Sequence, residues 1–196
     1  MSVTTVTEAE LSAELREQLE RIEAIKRDAL ALVDALTDEQ LNWRPDPSRW
    51  SIAQCLHHIV LSGAGYVSRL GELVETSRKR EQLGQPPLRP GMLSGWFIRS
   101  MEPPPRFKAK TFRSIEPPPA SMSRDAVFNE FIAFHDELAN RVRAMRDVNL
   151  NGARMPSPFF RPLRFTIGQV ITLLITHARR HLWQARQVRQ HPGFPA

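Results

Sequence analysis

With 196 residues, 41% apolar and 24% charged side chains, and a net charge of +6, the chain has the length and balance of one folded domain, 1–196, able to bury its own core. No run approaches the ~18–20 uninterrupted apolar residues of a spanning helix, and the N-terminal MSVTTVTEAELSAEL turns acidic where a signal peptide turns apolar, so no membrane partner and a cytoplasmic location are expected. Basic residues fall in separate groups (Arg78 to Arg80; Lys108 and Lys110; Arg179, Arg180, Arg186 and Arg189) without a nucleic-acid-binding signature, which argues for a solvated surface and no nucleic-acid partner.

Four segments carry the three-four apolar repeat of an amphipathic helix, so the expected class is all-α. The first runs from about Thr7 to Leu36, with Leu11, Leu15, Leu19, Ile22, Ile25, Ala29, Leu32 and Leu36 as its stripe. Thr37 and Gln40 then form a capping-box pattern for a short turn before the linker WRPDPSR. A second helix is predicted from Ser51 to about Arg80. It contains the single cysteine, Cys55, which excludes an internal disulfide and sits among apolar residues, the setting of a core thiol.

A proline-rich connector, about 82–122, separates the second helix from the third. Proline removes donors and fixes the backbone, so long regular structure is not expected there. The apolar Met92, Leu93, Trp96, Phe97, Ile98 and Met101 imply a segment folded onto the body with a short helix, as a lid or, by preference, as a crossover strap. The third helix is predicted over 123–148, with Phe128, Phe131, His135, Leu138, Val142 and Met145 in register, and the last over 166–190, stopped by Pro192 and Gly193.

The second and last helices open alike, on WSIAQC and FTIGQV. Ser51 or Thr166 can cap the first turn, Gln54 or Gln169 can bond back, and Trp50 or Phe165 can pack as a staple on Cys55 or Val170.

His177 and His181 are four apart on the apolar side of the last helix, so their rings share one face one turn apart. An imidazole on a core-facing stripe needs a partner: a metal ion, or a hydrogen bond within the core. His58 follows Cys55 by three, and Ser62 and Gly65 leave space beside it. The neighbouring His57 points about 100° away. His58 lies about 10 Å into its helix, while His177 and His181 lie about 16 and 22 Å into theirs; parallel helices would miss by about 6–12 Å, and antiparallel ones nearly coincide. That requirement gives an up-down-down-up four-helix bundle, with the proline-rich segment as the long crossover between the second and third helices.

Trp50, Ser51, Gln54, Leu56 and His58, followed by His177, His181 and Gln184 and by the connector text FKAKTFRSIEPPP, resemble the DinB-like superfamily of bacterial damage-inducible bundles over nearly the whole length. The resemblance implies His58, His177 and His181 as ligands of one divalent metal ion, and a homodimer. Three imidazoles suit zinc or nickel, with iron or copper as further options, and leave a coordination position open, as catalytic sites do. A bound zinc can lower the pKa of water from 15.7 toward ~7. The expected function is a metal-dependent hydrolase, or a transferase using a bacterial low-molecular-weight thiol, acting on a small-molecule substrate; the alternative is a stress-response bundle that binds metal without turnover. No general base is identifiable. His135 is a possible site residue with a core histidine as the default, and Arg179 and Arg180 could meet an anion or simply be solvated.

Overall fold

The computed structural model describes residues 11–105 and 111–196. Its helices are α1 (Ala13–Val33), α2 (Asp38–Asn42), α3 (Ile52–Lys79), α4 (Leu93–Arg99), α5 (Arg124–Arg143) and α6 (Ile167–Arg189), joined by a two-stranded antiparallel hairpin, β1 (Arg154–Pro156) and β2 (Arg164–Thr166).

The helix starts follow from capping chemistry. Thr37, Ser51 and Thr166 each accept a hydrogen bond from the backbone N–H three residues on, and the side-chain oxygens of Gln40, Gln54 and Gln169 each accept one from the cap N–H. In α3 and α6 the same glutamines also reach across to the connector. Gln54 Nε2 donates to the Pro118 carbonyl at 3.1 Å, and Gln169 Nε2 donates to those of Arg89 at 3.1 Å and Pro90 at 3.0 Å. The two helices that carry the histidines therefore hold both ends of the proline-rich segment, whose carbonyls have few backbone donors of their own.

Long-range contacts define the bundle. Lys26 meets Asp136 and Leu36 meets Arg124, so α1 and α5 are antiparallel. Asp28 pairs with Arg186 and Ala31 with Arg189, so α1 and α6 run together. Gly63 faces Phe134 and Gly71 faces Arg141, which makes α3 and α5 parallel; Ser62 meets His177 and Trp50 meets His181, which makes α3 and α6 antiparallel. The order is up-down-down-up, as predicted. At Gly63 the close approach is sterically required, because an added Cβ would lie 2.3 Å from the Phe134 ring. One continuous apolar cluster fills the centre and includes the predicted α1 stripe and the fully buried Cys55.

The connector is a strap. It passes along α6, where Gly95 and Ile98 are buried, reaches Thr176 and Arg179 through Glu102, then crosses to α3 at Ile115 and Pro118 and ends at Met122, which exchanges hydrogen bonds with Asn42. The predicted short helix within it is α4.

Several boundaries differ from the sequence reading. The predicted turns over 7–10 lie outside the described residues, as do residues 107–110 of the connector text. The first helix ends at Val33, before the predicted Leu36, because Ala35 takes a left-handed conformation (φ 60°) that ends the helix without a glycine to announce it. The third helix ends at Arg143 and not at 148. Met145 and Val148 are still buried, but the backbone there pairs with the segment after α3, through Gly84 N–H to Asp147 O and Asn149 N–H to Gln82 O. The β-hairpin was not predicted. Its strands are three residues long, too short to show an alternation.

His135 is buried in the α1–α5 half of the core. Its Nδ1–H donates to the Phe131 carbonyl at 2.8 Å, and its ring packs on Phe131 and Phe134. Burial lowers its pKa from 6.5 to about 4, partly opposed by that hydrogen bond.

Two predictions follow from these contacts. Gln54→Ala or Gln169→Ala strips partners from both a cap N–H and a strap carbonyl, so each should destabilise the fold by about 2 kcal/mol, against ~1 kcal/mol for an ordinary cap loss, in urea denaturation. The folded chain keeps His135 neutral, so the unfolded chain takes up that proton first as pH falls. His135 therefore reduces stability progressively from pH 6.5 down to about 4, and no further below. The contribution approaches roughly 3 kcal/mol, and the pH dependence of His135→Leu should be shallower by that amount in the same window.

Candidate metal centre

His58 projects from the second turn of α3, and His177 and His181 project from adjacent turns of α6. The antiparallel packing of the two helices brings the three rings together, with centroids 5.2 Å apart for His58 and His177, 4.5 Å for His58 and His181, and 4.5 Å for His177 and His181. One ring nitrogen from each lies within 4.8 Å of the others. His58 and His181 are buried, and His177 is the least buried of the three.

The other nitrogen of each ring is already engaged. His58 Nδ1–H donates to the Ile115 carbonyl of the strap at 2.8 Å, and His181 Nδ1–H donates to Gln184 Oε1, one turn further along α6, at 3.1 Å. His177 Nδ1 lies 3.3 Å from Ser62 Oγ. The single Ser62 hydroxyl proton is directed at the His58 carbonyl at 2.7 Å, so Ser62 accepts from His177. All three imidazoles are thereby set with the proton on Nδ1 and the Nε2 lone pair free, the arrangement by which protein acceptors orient metal-ligating histidines.

The donor set fits a cation. His177 Nε2 and His181 Nε2 stand 3.1 Å apart. With both protons on Nδ1, two lone pairs face each other and a positive charge between them relieves their repulsion; with a proton on either Nε2 the same distance is an N–H···N hydrogen bond. Two nitrogens about 2.1 Å from one tetrahedral ion would stand about 3.4 Å apart, close to what is found. A proton is a poor substitute for that charge. Burial holds all three imidazoles below the usual histidine range, and the mutual proximity of the rings and of the Arg180 guanidinium pushes His177 (to about 3) and His181 lower still.

Trp50 closes one side. Its ring lies 4.7 Å from that of His58 and stacks at 5.7 Å on His181, so a residue expected as a hydrophobic staple on Cys55 shields the imidazoles from water. Other sequence candidates lie elsewhere. His57 turns to Glu130 on α5 at 2.9 Å, Arg179 pairs with Glu102 at 3.2 Å, and His135 belongs to the core described above. Gly65, expected to leave room beside His58, instead faces Pro158 of the hairpin loop. Arg180 is half-buried beside the cluster, close enough to act electrostatically on two of its rings.

The bundle topology and the three-imidazole cluster define a helical protein with a histidine triad that could hold a metal ion between two antiparallel helices. Residues 21–185 match the family model of the DinB superfamily, and the chain belongs to that family. Among solved structures it is similar to YfiT from Bacillus subtilis, described as a probable metal-dependent hydrolase with an unusual four-helix bundle topology, at 14% identity and a TM-score of 0.57, covering 100% of this chain and 94% of that one. No curated protein matches the chain.

Ser62→Ala removes the acceptor that sets the His177 tautomer without touching a ligand. Zinc or nickel affinity should fall about 10–100-fold, read by competition with a chromogenic chelator, while helix content is unchanged.

Proposed function

We propose that the chain is a metal-dependent hydrolase of a small-molecule substrate, with one divalent ion held by His58, His177 and His181. The observation that carries this reading is the convergence of three ring nitrogens, one from each imidazole, while the Nδ1 of each ring lies within hydrogen-bond distance of a protein group. When bound, the ion supplies Lewis acidity toward water and toward a carbonyl or phosphoryl oxygen. The residues of the chain supply the rest. Three neutral ligands leave the ion's charge undiminished, Ser62, Gln184 and the Ile115 carbonyl keep the rings aimed, and Trp50 excludes solvent from the closed side. His177, the least buried of the three, marks the side on which a substrate would approach.

Zinc and nickel suit the all-imidazole set best. A transferase that presents a low-molecular-weight thiol on the same ion, and a homodimeric state, rest on the family resemblance alone. The non-catalytic alternative, an ion that only braces the bundle, predicts a site sealed by protein groups. Half-burial of His177 favours turnover over bracing.

Elemental analysis of natively purified protein should find close to one divalent ion per chain, and His181→Ala should lose most of it while keeping its helix content. Hydrolysis across a panel of activated esters, amides and phosphoesters should stop on chelation and return with added metal. Unchanged metal stoichiometry in His181→Ala would rule out the proposed centre, and activity untouched by chelation would rule out the proposed chemistry.

A further inference from the structure

The strap and the hairpin carry an exposed surface that the metal centre does not use. On α4, Met92, Leu93 and Trp96 are 92%, 70% and 59% exposed, while Ser94, Gly95 and Ile98 on the opposite face are buried against the body. Phe97 of α4 meets Phe165 of β2 at 6.3 Å, which brings the hairpin alongside, and the hairpin loop adds Phe160 at 58% exposure. The strap and hairpin that bear these apolar side chains also carry Arg89, Arg99, Arg154, Arg161 and Arg164, all exposed and none in an ion pair among the described residues. There is no Asp or Glu over 82–101 or over 148–196, so these two segments contribute only positive charge.

We propose that this surface docks the protein peripherally on an anionic lipid bilayer, with Met92, Leu93, Trp96 and Phe160 entering the interface and the five arginines meeting headgroups. Apolar and aromatic side chains ringed by cations on a short amphipathic segment are the composition that binds such interfaces. The charge pattern argues against the other occupants. A second copy joined by a two-fold axis would place arginines against arginines with no acid to relieve them. Single-stranded nucleic acid would match the charge and could stack on Trp96 and Phe160, but it would leave the aliphatic Met92 and Leu93, the most exposed side chains of the patch, in water. The α4 apolar residues stand on the outer face of a helix laid over α6, a protruding shape that a deformable bilayer accommodates.

The test is co-sedimentation of the full chain with vesicles of phosphatidylglycerol and phosphatidylcholine, against phosphatidylcholine alone. Binding should require the anionic lipid and weaken with salt. The Met92→Ser, Leu93→Ser, Trp96→Ser triple variant should lose it, and Arg89→Glu with Arg99→Glu should weaken it by at least about tenfold. All five positions are exposed, so circular dichroism and metal content should match the parent. The proposal fails if anionic vesicles do not retain the parent chain, or if the triple variant binds them undiminished. It fails equally if the patch instead mediates a concentration-dependent dimer or an oligonucleotide complex while vesicles stay unbound.

Discussion

Three imidazoles withdrawn from water have six ring nitrogens to satisfy, and the arrangement around α3 and α6 is organised by that demand. Three of the six are met by protein: a strap carbonyl, a glutamine one turn away and a serine hydroxyl. The other three are turned toward one another, close enough to share one cation. Burial strengthens the constraint, because it makes protonation, the alternative source of positive charge, unfavourable. A buried histidine cluster of this kind is prepared for an ion before one arrives.

The topology serves the same end. Ligands near the start of α3 and in the second half of α6 coincide only if the helices run in opposite directions, and the up-down-down-up order that achieves this needs a long connection between α3 and α5. That connection is used more than once. It is held at both ends by capping glutamines, and its Ile115 carbonyl fixes the tautomer of His58. The strap is therefore part of the site, and an element that looks like an irregular linker becomes a source of orienting contacts.

The electrostatics divide the molecule. Surface ion pairs are spread over α1, α3, α5 and α6, while the strap over 82–101 and the chain over 148–196, which includes the hairpin, contain no carboxylate side chain. The strap and hairpin side is therefore basic. That side also bears the largest exposed apolar side chains, and a one-signed field around apolar groups selects partners by charge before contact.

Much of this was written locally. The three-four repeats, the capping boxes at Thr37, Ser51 and Thr166 and the i, i+4 spacing of His177 and His181 are short-range properties, decided by helix geometry within a few residues, and so the four long helices, the fold class and the identity of the three histidines could be read from the chain alone. Helix rise even required the antiparallel pairing of α3 and α6. What lay beyond the text depends on atoms brought together from far apart. The Ile115 carbonyl is a backbone group with no residue signature, 57 positions from the ring it orients, and Trp50 reads as a staple until α6 places His181 beneath it. The left-handed turn at Ala35, the early end of α5 and the assignment of His135 to the core were likewise decided by packing, because whether a residue at the edge of a repeat continues the helix or faces the site depends on which neighbour the fold sets against it.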